Sequence, residues 1–267
     1  MKVGFFTNAF KNFSLVYALD SLAELGYGGI ELWCKGQHIT PYDEDKRVDL
    51  IKEQLSERGL EIYALSAHLD FITPSDELRA ANIEKFKSVM DIAREFDVKR
   101  VVTASGYLEE VPPLERRGMD GRFFDSMVAL GEYAKSKKMI IALEPEPEKF
   151  LRTPSQAVEI IEEIGIPVFR TVCDMSHAIA LNMTPVEFIR EMEEYLGHIH
   201  LDDAVYGQHP HRHLIPGDGE VDYKEVFSYL KDISYGDWIS VELNQHTEKP
   251  KEAAMKAVDH LRREGLI

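Results

Sequence analysis

The sequence predicts a closed (β/α)8 barrel, the α/β architecture of the TIM barrel, and three observations carry that prediction. Eight short runs rich in Val, Ile, Phe and Leu recur about 30 to 40 residues apart. Between them lie segments whose apolar residues repeat at helical spacing, and strands alternating with helices imply parallel pairing through right-handed crossovers. The chain has 267 residues, close to the roughly 250 of one barrel domain. No linker, low-complexity tract or Pro/Gly-rich boundary interrupts the pattern, so residues 1–267 read as a single TIM-barrel domain.

The first run, Lys2–Thr7, leads to Leu15, Leu19, Leu22, Ala23 and Leu25, a stripe stopped by Gly26. That spacing gives a helix one apolar face to lay on the barrel. The second and third runs are Gly29–Trp33 and Glu61–Ala67, and after them Ile83, Phe86, Val89, Met90 and Ala93 make another stripe. The fourth run, Arg100–Ala104, is followed by an irregular stretch over residues 107–118. After the fifth, Met139–Glu144, Thr153 before Pro154 predicts an N-cap with proline at the first helical position, and Thr184-Pro185 repeats the device after the sixth, Val168–Asp174. The seventh run, His198–Leu201, opens on the longest irregular stretch, residues 202–220, with His209-Pro210-His211-Arg212-His213 at its core. A loop of that length in a compact domain usually serves function. Trp238–Leu243 is the eighth run. A doubly wound sheet would need a glycine-rich turn after the first run, and Thr7-Asn8-Ala9-Phe10 supplies none.

Composition narrows the partners. Forty-seven acidic and 31 basic side chains give a formal net charge of −16, a field that repels nucleic-acid backbones and anionic membranes. The expected partner is a neutral or weakly charged small molecule. Cys34 and Cys173 lie far apart and read as reduced, buried thiols. The first residues lack the apolar core of a secretory signal and no run reaches membrane-spanning length, so the expected location is the cytoplasm.

In a barrel the functional side chains come from the C-terminal ends of the strands. The fifth run leads into Glu144, the sixth ends on Asp174, the seventh carries His198 and His200 on one face, and the eighth reaches Glu242. Strand alternation turns Val241 and Leu243 towards the helices, hence Ser240 and Glu242 inward; the same count turns Glu144, Asp174 and His200 inward. Four ligating side chains from four consecutive strands then converge, and ionised groups packed together need a positive charge among them. The expectation is one divalent metal ion per chain. Three carboxylates and an imidazole suit hard and borderline cations, Mn2+ first, with Mg2+, Co2+ or Zn2+ also suited. His68, ending the third run, is expected to add a hydrogen bond to substrate or to a ligand, and Phe6, Trp33 and Tyr107 stand near the mouth.

Several stretches also resemble the motifs of the xylose-isomerase-like barrel superfamily. They are Ala142-Leu143-Glu144-Pro145, Cys173-Asp174-Met175-Ser176-His177, His198-Ile199-His200-Leu201-Asp202, Pro216-Gly217-Asp218-Gly219-Glu220 and Val241-Glu242-Leu243-Asn244. Residues 22–32 are similar to its first helix and second strand. The superfamily includes ketose 3-epimerases, hydroxypyruvate isomerases, inosose dehydratases and the endonuclease IV family. Likeness to the ketose epimerases implies Glu144, Asp174, His200 and Glu242 as metal ligands, with Glu144 and Glu242 doubling as acid and base. It implies substrate contacts for His177 and Arg212. Glu146 and Glu148 stand near, but out of register with, a further substrate-binding glutamate. Members are often dimers or tetramers, so the resemblance admits a homo-oligomer.

The chemistry expected is proton transfer on a ketose or related polyol ketone. The metal polarises a carbonyl, a carboxylate removes the neighbouring C–H proton, and the proton returns for epimerisation or isomerisation through an enediolate. An inosose-dehydratase-like lyase begins identically and then expels a hydroxyl. An endonuclease IV-like zinc phosphodiesterase would use His68, Glu144, Asp174, His177, His200, His213 and Glu242. Against it, Thr103-Ala104-Ser105-Gly106 lacks a histidine, and His211 replaces an aspartate. A Schiff-base aldolase would need a lysine at a strand end, and none is present.

Overall fold

The computed structural model describes residues 1–40, 45–107 and 118–267, without the side chains of residues 45 and 46. Eight parallel strands close into a barrel in chain order. They are β1 (Lys2–Phe6), β2 (Gly29–Trp33), β3 (Glu61–Ser66), β4 (Arg100–Thr103), β5 (Ile140–Leu143), β6 (Phe169–Asp174), β7 (Leu196–Leu201) and β8 (Trp238–Val241), and β1 pairs with β8. The observed strands stop a residue or two short of several expected ends, because the chain turns into the mouth there. Thr7 begins a 3-10 turn over Thr7–Phe10, while Glu144 and Glu242 follow the last residues of β5 and β8. The seventh strand instead starts two residues early, at Leu196.

The helices among the described residues are α1 (Leu15–Glu24), α2 (Asp45–Arg58), α3 (Asp76–Glu95), α4 (Met119–Lys137), α5 (Pro154–Ile164), α6 (Met175–Ala180), α7 (Pro185–Glu191), α8 (Tyr223–Asp232) and α9 (Pro250–Arg263). The stripe on α1 puts Leu15, Leu19 and Leu22 in the core, and that on α3 does the same with Phe86, Val89, Met90 and Ala93. Both threonine–proline signals are capping boxes, Thr153 with Gln156 and Thr184 with Glu187. Each cap side chain satisfies an orphan N–H and is worth about 1 kcal/mol.

The core has two parts. A continuous apolar layer lies between strands and helices and includes Phe5, Ile30, Leu65, Val101, Ile141, Cys173, Ile199 and Val241. A smaller cluster, Tyr63, Ala64, Val102, Ala142, Val172 and Trp238, fills the barrel interior. Tyr63 and Trp238 stack with centroids 4.6 Å apart and planes at 11°. Gly29 makes room for them, since a Cβ there would meet the Trp238 ring at 2.7 Å. The aromatic pair closes one end of the interior and leaves polar side chains for the other.

The stretch 202–220 is built rather than loose. Asp203 and Leu214 form a backbone bridge, and the Asp203 carboxylate accepts N–H groups from Ala204, Gly217 and Val221 at 3.0, 2.9 and 3.0 Å. Gly219 passes so close that a Cβ would meet Asp203 Oδ1 at 2.3 Å. Of the shorter irregular stretch, residues 108–117 lie outside the described residues. No helix among the described residues is long and apolar enough to cross a membrane. Cys34 and Cys173 are both free and buried.

Candidate metal centre

Register sets the site. Asp174 pairs with His200, and His200 with Ser240, so neighbouring strands present inward side chains at one height. Glu144, Asp174, His200 and Glu242 each place one ligand-type atom within 4.8 Å of all the others, and all four residues are buried. The centre of the group is His200 Nδ1, 2.8 Å from Glu144 Oε1 and 2.8 Å from Glu242 Oε2. Phe6 stacks on the His200 ring, with centroids 5.6 Å apart.

Each carboxylate is held by one oxygen and leaves the other without a hydrogen bond. Asp174 Oδ1 caps α6, accepting the His177 N–H at 2.9 Å and the Ser176 hydroxyl at 2.7 Å. Glu242 Oε1 accepts the side-chain amides of Asn8 and Asn244 at 2.8 and 3.2 Å. Glu144 Oε1 faces His200. Asp174 Oδ2, Glu242 Oε2 and Glu144 Oε2 are buried with no hydrogen-bond partner. Orphaned carboxylate oxygens carry a large desolvation cost unless a cation takes them up. The donor set, three carboxylate oxygens and one imidazole nitrogen, fits a divalent metal ion.

The electrostatics show the same demand. Burial pushes the Glu144 carboxyl well above the usual range, and its hydrogen bond and charge contact with His200 only partly offset that. Glu242 feels the same burial, but its close contact with the His200 ring outweighs it and holds the group at about 2. For His200 itself, burial disfavours the charged ring, yet Glu31, Glu144 and Glu242 together raise it well above the ordinary imidazole range.

Around this group lie the other expected residues. His68 Nε2 is 3.3 Å from Glu144 Oε2, and its Nδ1 is 3.6 Å from Glu146. His177 sits 3.8 Å from both Glu144 and Asp174 and anchors Nδ1 on the Pro145 carbonyl at 3.1 Å. The structure does not bring Arg212 to the group: its side chain is exposed, while His211 and His213 turn inward. The hairpin-like path of this loop accounts for the difference, because alternation about the Asp203–Leu214 bridge sends residues 211 and 213 to one side and 212 to the other.

A cavity of about 750 Å3 opens above the four residues. Its walls include Asn8, Trp33, His68, Glu146, His211 and Asn244, with Tyr107 and Lys149 towards the rim. Lys149 is buried, 3.4 Å from Glu146, and its ammonium lies 4.0 Å from the centre of the Tyr107 ring. Burial raises the Glu146 carboxyl to about 7 despite that lysine.

Several residues here escaped sequence reasoning. Glu31 is fully buried in the middle of β2 and hydrogen-bonds His200 from beneath. Inward parity with Gly29 and Trp33 was the available signal. Asn8 comes from the 3-10 turn after β1, and Asp202 follows β7 and pairs with His213 at 2.5 Å.

Comparison with known proteins agrees with this fold. The Xylose isomerase-like TIM barrel family matches residues 19–264. The chain is 23% identical over 277 residues to a fructoselysine 3-epimerase of Escherichia coli O157:H7, covering 98% of each protein. It is 25% identical over 248 residues to an inosose isomerase of Halalkalibacterium halodurans, covering 87% of this chain and 84% of that protein. Its fold superposes with a TM-score of 0.80 on the crystal structure of the IOLI protein with a bound zinc atom, at 24% identity over 98% of this chain and 97% of that one. The chain belongs to the xylose isomerase-like TIM barrel family.

Proposed function

We propose that this chain is a divalent-metal-dependent isomerase or epimerase that moves a proton on a ketose or related polyol ketone. One observation carries the reading: four ligand side chains from the ends of β5 to β8 converge while three of their buried carboxylate oxygens make no hydrogen bond. The names of the fructoselysine 3-epimerase and inosose isomerase support it, as does the zinc in the IOLI structure.

Glu144, Asp174, His200 and Glu242 would hold the ion. When bound, it supplies a Lewis acid that polarises a substrate carbonyl and makes the adjacent C–H acidic. The protein supplies the proton path. Glu144 reaches in from β5 and Glu242 from β8, on two sides of His200. Glu242 Oε1 is fixed by two amide donors and Glu144 Oε2 lies 3.3 Å from His68 Nε2, so the two carboxylates would remove and return the proton from opposite sides. His177 and His68 would contact substrate oxygens, with Trp33 packed beside His68 and Phe6 on His200.

Solvent-deuterium exchange tests this. A panel of ketoses and keto-inositols is incubated with the Mn2+-loaded protein in deuterated water and followed by mass and NMR. Exchange at one carbon without loss of mass is the expected result; release of water would mark the inosose-dehydratase-like lyase. Glu242→Gln should lower exchange by at least about 100-fold; exchange at the parent rate in that variant would reject the two-glutamate scheme.

One observation favours a second reading. His177, His211 and His213 also bring ligand nitrogens within 4.8 Å of one another. A centre holding more than one ion would suit an endonuclease IV-like phosphodiesterase, and close to three zinc ions per chain with cleavage of abasic DNA would replace the isomerase reading.

A further inference from the structure

We infer that Glu31, a carboxylate sealed inside the barrel beneath the cluster, is the positioning residue that aims His200 at the bound cation. The inference rests on the proposed four-residue metal centre and concerns what holds one of its ligands in place.

Glu31 is fully buried and is not among the residues lining the cavity at the mouth. Its carboxylate is nonetheless saturated with donors from two strands. His200 Nε2 lies 3.1 Å from Oε2 and 3.3 Å from Oε1. His198 Nε2 lies 2.9 Å from Oε2, and the Ser240 hydroxyl donates to the same oxygen at 2.5 Å. Ser240 is fixed in turn by Tyr63, whose hydroxyl is 2.7 Å away. Tyr63 is clamped on the Trp238 ring, so the chain of contacts runs from the aromatic floor of the barrel to the ligand layer.

The geometry dictates what this does to His200. An imidazole that gives its Nε2 hydrogen to Glu31 has its Nδ1 lone pair left over, and Nδ1 is the atom that faces Glu144 and Glu242. The ring cannot turn over about its Cβ–Cγ bond without breaking the bond to Glu31 and putting Cδ2 in place of Nδ1 at the acidic group. An ionised carboxylate behind a ligating imidazole also increases the donor strength of the other nitrogen. Among the four ligands, His200 is the one whose ring Glu31 holds by hydrogen bonds. The other three ligands have holders of their own: Ser176 and a helix N-terminus for Asp174, Asn8 and Asn244 for Glu242, and His200 itself for Glu144.

A plain structural role, in which Glu31 merely satisfies His198 and Ser240, would lower the stability of the metal-free fold and leave cation affinity alone. Competition titration of Mn2+ against a fluorescent chelator separates the two, run beside thermal melts of metal-free protein. Glu31→Gln keeps the shape and removes the charge. It should weaken Mn2+ binding by about 10- to 100-fold and shift the visible spectrum of the Co2+-loaded protein, whatever its effect on the metal-free melt. Ser240→Ala keeps Glu31 and removes one of its donors; should Glu31→Gln fail to fold, this variant carries the test, with an expected weakening of about 2- to 10-fold. Parent-like affinity and Co2+ spectrum in the folded variant would overturn the inference while leaving the metal centre standing. A parent chain that binds neither Mn2+ nor Co2+ would overturn both.

Discussion

The two ends of the barrel make opposite use of charge. At the C-terminal mouth Glu144, Asp174, His200, Asp202 and Glu242 are all at most 2% exposed and face one another. At the N-terminal end a hollow of about 820 Å3 is lined by Arg100, Arg170, Arg190, Glu162, Glu191 and Asp237. There, Arg190, Glu162 and Glu191 are exposed and Arg100 contacts Asp237 directly, so charges are paired or hydrated. The hollow is slightly larger than the cavity at the mouth, yet among the described residues it gathers no set of buried ligand atoms. Volume does not locate the chemistry. Desolvated groups of one sign, held at short range by the strands beneath them, do, because such an arrangement is stable only with a cation or protons among them.

Substitutions at the two ends should therefore separate cation binding from stability. Asp174→Ala removes a ligand whose other oxygen caps α6, and should cost more than about 100-fold in Mn2+ affinity, beyond the effect of an outer partner. Isothermal titration checks it, and retention of stoichiometric binding at parent affinity would break the contrast. Phe169→Ala acts at the opposite end, where the fully buried ring starts β6 and packs so tightly on α4 that a Cβ at Gly131 would meet it at 2.7 Å. It should destabilise the fold by about 3–5 kcal/mol, lowering Tm on the order of 10 °C, with Mn2+ affinity of the folded protein unchanged.

The smallest effect is expected on the outer surface, where Asp91 accepts hydrogen bonds from Tyr133 at 2.6 Å and Lys137 at 2.9 Å. Burial is the largest single influence and opposes ionisation there, but the two partners together outweigh it and hold the Asp91 carboxyl below its ordinary value. A depressed carboxyl stabilises the fold above its unfolded pKa and loses that contribution as pH falls through the folded one. Asp91→Asn should accordingly cost less than about 1 kcal/mol at pH 7, and the difference from the parent should vanish in melts towards pH 2. A pH-independent difference would reject the ionic origin.

Residues at strand ends were the legible part of the site. Alternation along β8 assigned Glu242 inward because Val241 and Leu243 are plainly apolar, and the same count served Glu144, Asp174 and His200. Glu31 was harder to read because a glutamate in mid-strand looks like any solvated residue until its donors, 167 and 209 positions away in sequence, are brought beneath it. Asn8, Glu146 and Lys149 lie in short turns that have no periodicity to count. Arg212 is the converse case. Likeness to a motif pointed to it, whereas the bridged loop exposes it and turns its neighbours inward. Strand limits were read to within about two residues, the misses falling where the chain leaves the ladder to form the mouth and at the starts of β5, β6 and β7.

The central claim is that the four-residue cluster holds one cation. Elemental analysis of protein purified without added metal or chelator, together with the Asp174→Ala variant, tests it most directly. About one manganese, cobalt, magnesium or zinc per parent chain, and none retained by the variant, is the predicted result. No metal in the parent, even after reconstitution with Mn2+ and Zn2+, would contradict it.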